Sequence, residues 1–242
     1  GGMGALGCGI NSADAAVIMA TGTMWMMVPE SCLVTLKGRP KKGVTAKDIA
    51  LKIQTIAPPD HLIYKAIEIG GDYAHEMSVA SRLVIANMMC ETGAKCGILP
   101  PDQVVADYLE EKLCSLASDP DAGYADRYEV DLDALEPVLA CPHAVQNVKN
   151  VTEVEGVKIQ QAFLGSCTNG RIEDFLQAAE ILRGQKIHPN VRMIVVPGSQ
   201  TIYLEMARMG LLEMFTECGA AVLSPGCASC GGFGPGTIGN DE

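Results

Sequence analysis

The chain has 242 residues, 48% hydrophobic and 19% charged, with a formal net charge of −11. That length supports one large core or two smaller ones, and the composition is globular rather than disordered or collagen-like. An acidic balance without a basic run argues against nucleic acid as a partner, and no apolar stretch approaches the length of a membrane span or is led by a basic signal-peptide region.

The chain opens on GGMGALGCGINSADAAVIMATGTMWMMVPES (1–31). Residues Gly2–Gly7 satisfy G-x-G-x-x-G, but no strand precedes them. About twenty positions on stands Met24 or Trp25 rather than an acid, so close backbone packing is the expected use of these glycines. Met19, Met24, Met26 and Met27 are expected to fill a core. Residues 1–30 are read as the remnant of a first domain whose earlier strands are absent.

From 31 to 148 the sequence predicts a middle domain of mixed α/β structure. SCLVTLKG (31–38) is strand-like, and TAKDIALKIQTIA (45–57) has the spacing of a helix. A second helix is predicted from near Ser78 to Gly93. It would place Asn87 and Glu91 on one face, because residues i and i+4 are neighbours. His61, His75 and His143 read as turn or core residues, and the acidic, turn-rich stretch Ala117–Asp133 as a solvated loop.

From 149 to 242 a β-α-β-α-β order is predicted. VKIQQAFLG (Val157–Gly165) is a strand, and a helix follows with Ile172, Phe175, Leu176, Ala179 and Leu182 on one side. VRMIVV (191–196) is a continuous apolar run, typical of a buried strand. A helical stretch from about Thr201 to Cys218 is broken near Gly210, and AAVLS (220–224) is a third strand. That alternation is the pattern of a parallel, doubly wound sheet, so the fold class is α/β.

Ten cysteines is a high number for this length. Cys8, Cys32, Cys90, Cys96, Cys114, Cys141 and Cys218 have mostly apolar neighbours and read as small buried hydrophobes. Cys167, Cys227 and Cys230 differ, because each follows a predicted parallel strand in a Gly-rich loop. Open α/β sheets bind ligands at the carboxyl ends of their strands. A zinc site would want a fourth ligand, and His188 is predicted at the opposite end of the sheet. A redox C-x-x-C would open a helix, which CASCGGFGPG is too rich in Gly and Pro to do. Three thiolates on an iron–sulfur cube would leave one iron open. Spacing alone leaves cluster, zinc and inert thiols as the alternatives.

The wording of these loops carries a resemblance. GSCTNGRIEDF (165–175) with GCASCGG (226–232) resembles the large subunit of 3-isopropylmalate dehydratase and the wider aconitase family. ACPHAVQNVKNVTEVEGVKIQQAFLGSCTNGR is similar to that family's approach to its first cluster cysteine. MSVASRLVIANMMCETGAKCG (77–97) is similar to its helix carrying an active-site acid. The opening segment resembles the stretch that follows its D-S-H-T motif.

The resemblance implies an aconitase-like fold. It implies that Cys167, Cys227 and Cys230 hold a [4Fe-4S] cluster, with Thr168, Asn169 and Arg171 placed to orient the first cysteine loop through hydrogen bonds; Asn169 reads equally as a helix cap and Arg171 as a solvated first-turn residue. Glu91 matches the acid set beside a catalytic histidine, and Asn87 an asparagine near the cluster. The implied reaction moves water on a hydroxy-di- or tricarboxylate, aided by a small partner subunit bearing a swivelling domain. Homoaconitase, dimethylmalate dehydratase and aconitase share that chemistry; a non-catalytic metal-binding domain is the reading from another class. The D-S-H-T and N-R-N-F motifs are not in these 242 residues. The chain alone is therefore expected to be inactive, prone to aggregation, and in its parent protein cytoplasmic.

Overall fold

The computed structural model describes residues 1–58, 60–112, 116–232 and 234–239. The chain divides into two compact units, Gly1–Glu155 and Gly156–Glu242.

The first unit begins with helix α1 (Ser12–Thr21). Its ends are set locally, by Asn11 Oδ1 accepting from the Asp14 N–H at 2.8 Å and by Gly22 in the left-handed region at φ 70°. No residue of α1 is buried. Met19 is 83% exposed and Met27 55% exposed, so the methionines expected in a core do not form one here. The glycines before α1 do serve close packing. Gly1 O accepts from the Leu99 N–H at 3.0 Å, and a Cβ on Gly2 would stand 3.0 Å from the Arg82 backbone.

Strand β1 (Ser31–Lys37), helix α2 (Ala46–Ile56), strand β2 (Ala66–Gly70), helices α3 (Asp72–Glu76) and α4 (Val79–Met88), strand β3 (Cys96–Ile98), helix α5 (Gln103–Leu109) and strand β4 (Asp126–Asp131) follow in order. The four strands form a parallel sheet in the order β3-β2-β1-β4. Period-two alternation points Cys32, Val34 and Leu36 of β1 to one face, where they pack in one core with Ile49 and Ile53 of α2 and Val84 and Ile85 of α4.

The hairpin β5 (Val138–Ala140) and β6 (Val148–Asn150) is tied to α2 through Asp48. That buried carboxylate accepts from the Thr45 N–H as a capping box and from the Val138 N–H at 2.8 Å. Strand β4 corrects the expectation of a loop over 117–133. It pairs with β1, but only Val130 is buried, so five polar or half-exposed neighbours hid the strand pattern.

In the second unit, β7 (Gln161–Gly165), α6 (Ser166–Asn169), α7 (Ile172–Leu182), β8 (Arg192–Val196), α8 (Gln200–Arg208), α9 (Leu211–Cys218) and β9 (Ala221–Val222) build the expected parallel ladder, ordered β7-β8-β9. The first strand is shorter than its apolar pattern suggests. Pairing begins at Gln161 opposite Arg192, and Val157 and Ile159 are left exposed. Phe175, Ala179, Met206, Leu211, Met214 and Phe215 from the three long helices share one core with Met193 and Val195, so both crossovers lie on one sheet face. Phe175 is fully buried, edge-on to Phe215 with ring centroids 6.1 Å apart. Phe175→Ala is expected to lower unfolding stability by about 3–5 kcal/mol, read from urea denaturation midpoints.

Candidate metal centre

Local sterics shape the first cysteine loop. A Cβ on Gly165 would lie 1.9 Å from Val196 O, so the chain leaves β7 through a position open only to glycine. Ser166 follows, buried and held in the left-handed region at φ 61°. The turn puts Cys167 on the surface at the carboxyl end of the strand.

Asp174 fastens this loop to α7. Its Oδ1 accepts from Asn169 Nδ2 at 2.8 Å and its Oδ2 from the Arg171 N–H at 3.0 Å. Arg171 Nη1 donates to Thr168 O at 2.7 Å, and the Gly198 N–H donates to Gly170 O at 2.8 Å. Asn169 is therefore a brace within the loop rather than the cap of α7, a place taken by Arg171. Asp174 was not singled out from the sequence. The signal was an acid three residues beyond the loop's end, at the third position of a helix.

The second loop leaves β9 and makes one 3₁₀ turn over Ala228–Gly231. The Cys230 N–H donates to Cys227 O at 3.1 Å, and both side chains are exposed. Gln161 Nε2 donates to Gly236 O at 2.8 Å, which ties the end of this loop back to β7. Cys167 thus follows one outer strand and Cys227 and Cys230 the other, with β8 between them. Two strand spacings separate those strands by about 10 Å.

Among the described residues no three His, Cys, Asp or Glu side chains are gathered closely enough to hold a single metal ion. The donor set nevertheless suits a cluster, whose separate irons each take one soft thiolate. Two buried polar atoms in these loops, Asn169 Oδ1 and Ser229 Oγ, have no hydrogen-bond partner among the described residues. His188 lies before β8, at the opposite end of the sheet, and accepts from the Asn190 N–H at 3.2 Å.

Asn87 and Glu91 belong to the first unit. The α-helix ends at Met88 and continues as a 3₁₀ turn over Met89–Thr92, capped by Gly93 at φ 77°. Asn87 is half-buried near the end of α4, and Glu91 is exposed on the turn. The α-helical i, i+4 spacing therefore does not relate them, because the turn tightens to about three residues. Of the seven cysteines read as buried hydrophobes, Cys32, Cys96 and Cys218 are buried. Cys8 and Cys141 are half-buried and Cys90 is exposed, while Cys114 lies outside the described residues. His75 is neither core nor a plain turn residue: its Nδ1 faces the Asp102 carboxylate at 2.9 Å.

The sequence matches the aconitase family (aconitate hydratase) over residues 1–156 and 145–242, and the chain belongs to that family. Over its whole length it is 43% identical to the 3-isopropylmalate dehydratase large subunit 1 of Thermotoga maritima, of which it covers 60%. It is likewise 43% identical to the probable 3-isopropylmalate dehydratase large subunit of Methanothermobacter thermautotrophicus, covering 59% of it. A probable methanogen homoaconitase large subunit of Methanosarcina mazei is 41% identical over the whole chain, with 62% of it covered. The chain thus spans about 60% of the length of the curated relatives it matches. No helix among the described residues is long and apolar enough to cross a membrane.

Proposed function

We propose that this chain carries the cluster-binding part of an iron–sulfur hydro-lyase. Its reaction removes water from a hydroxy-di- or tricarboxylate and returns it at the neighbouring carbon, in the manner of 3-isopropylmalate dehydratase. The observation that supports this most is the placing of three exposed thiols on one carboxyl edge of a parallel sheet, in loops braced by glycine packing and by Asp174.

Cys167, Cys227 and Cys230 would hold a [4Fe-4S] cluster. When bound, the cluster supplies an iron without a protein ligand, a Lewis acid that makes hydroxide a better leaving group. Asn169 keeps the Cys167 loop in register through its hydrogen bond to Asp174. Glu91 we assign to proton transfer at the departing oxygen, and Asn87 to a hydrogen bond beside it. The base that removes the α-proton we place on a small partner subunit, since the relatives are named as large subunits. We place the reaction in the cytoplasm, within leucine biosynthesis.

Anaerobic reconstitution with iron and sulfide tests the cofactor. The expected product is brown, loses colour in oxygen, and releases one iron more readily than the rest. A stable, colourless protein with one zinc would overturn the reading in favour of a structural metal domain. In the whole enzyme with its partner subunit, Glu91→Gln is expected to lower kcat by about 10²–10⁴ with iron content unchanged.

A further inference from the structure

Helices α7, α8 and α9 cover one face of the second sheet, where Met193 and Val195 join their core. Strand alternation turns Gln161, Arg192 and Ile194 to the other face. Ile194 is nevertheless only 5% exposed, and Gly236 lies against it. A Cβ at position 236 would stand 1.9 Å from Ile194 Cδ1 and 3.4 Å from Ser229 Oγ, and φ there is 86°. Only glycine fits between the central strand and Ser229, the residue just before Cys230.

Gln161 fastens this glycine to the sheet. Its Nε2 donates to Gly236 O at 2.8 Å, and its Oε1 accepts from Arg192 Nε at 3.2 Å. A guanidinium only donates, so Arg192 determines which end of the amide faces Gly236. Three further bonds around the C-x-x-C are local. The Cys230 N–H donates to Cys227 O at 3.1 Å, the Gly232 N–H to Ser229 O at 3.0 Å and the Thr237 N–H to Gly234 O at 3.3 Å. Those bonds shape the turn, whereas the bond from Gln161 reaches it across 75 residues of sequence.

Gln161 is also remote from the thiols it would serve. It opens β7, and Gly165 closes that strand about 13 Å away, on the edge where the cysteine loops begin.

We propose that Gln161 is a positioning residue for Cys227 and Cys230, acting through Gly236 and Ser229 from the amino end of the sheet. What the thiols hold rests on the hydro-lyase reading; that Gln161 places them does not.

The test reads each thiol separately, by its rate of alkylation with iodoacetamide in the reduced, metal-free full chain, followed by peptide mass spectrometry. Gln161→Glu keeps an acceptor for Arg192 but has no N–H for Gly236 O. The rates at Cys227 and Cys230 are expected to change by about threefold or more, the worth of one modest hydrogen bond, while Cys167 on its separately braced loop keeps the wild-type rate. Gln161→Met, which loses both bonds at similar size, should show the same pattern. After anaerobic reconstitution, iron should pass to a chelator about threefold faster from Gln161→Glu than from wild type. Equal changes at all three thiols would make Gln161 a general stability residue and overturn the proposal. Wild-type rates at Cys227 and Cys230 in both variants would overturn it as well. A wild-type chain that takes up no iron would count against the cluster reading alone.

Discussion

Cys227→Ser is expected to abolish a stable cluster while leaving the fold untouched. Serine keeps the shape but offers a hard alkoxide donor in place of a soft thiolate, and two remaining thiolates cannot retain a cube. Iron bound after anaerobic reconstitution should fall to less than about a tenth of wild type, and turnover by the whole enzyme should fall with it. The side chain is exposed and packs into no core, so the urea midpoint should move by no more than about 0.5 kcal/mol in stability. Cys218→Ser is the informative contrast. Cys218 is buried and its Sγ donates to Leu182 O at 3.1 Å. That variant should lose about 1–3 kcal/mol of stability yet take up iron as wild type does. If Cys227→Ser bound a full complement of iron, the assignment of ligands would be wrong.

Arg82→Met should cost about 3–5 kcal/mol of unfolding free energy, because it removes one partner of a largely buried ion pair. Asp102 and three backbone carbonyls lose their donor at once. A double variant that also replaces Asp102 with Leu should recover part of the loss, since the orphaned carboxylate goes too.

The pair also sets a pH dependence. Burial would raise the Asp102 pKa, but hydrogen bonds from Arg82 and His75 outweigh it and hold the carboxyl below its ordinary value of 3.8. A group lowered on folding stabilises the native state above its unfolded pKa, and that contribution fades as pH falls through the folded pKa. The stability gap between wild type and Asp102→Asn should therefore be constant above about pH 5 and shrink below about pH 4. Urea midpoints at pH 7, 5 and 3 measure it; a gap that widened in acid would contradict the pairing.

The legible parts of this protein are those governed by neighbours in sequence. Helix periodicity located α2 and α7, and Gly210 marked the break between α8 and α9. The two cysteine motifs were visible because glycine-rich loops after apolar runs have a steric cause, seen at Gly165 against Val196. The start of β7 was misjudged because the alternation of Val157 and Ile159 with polar residues reads as a strand whether or not a partner strand lies beside it. β4 was missed for the converse reason: its pairing with β1 is real, while its exposed side chains carry almost no apolar alternation.

By itself the sequence determined the α/β class, the family, and which three cysteines stand at strand ends, since all of these follow from period, spacing and motif wording. Only the tertiary structure decided which thiols are exposed and which are buried. It alone brought His75 to Asp102, 27 residues away, around the buried guanidinium of Arg82. The physical reason is the same in each case. Burial and long-range hydrogen bonds depend on which strands become neighbours, and strand adjacency is a property of the folded sheet rather than of any local stretch of chain.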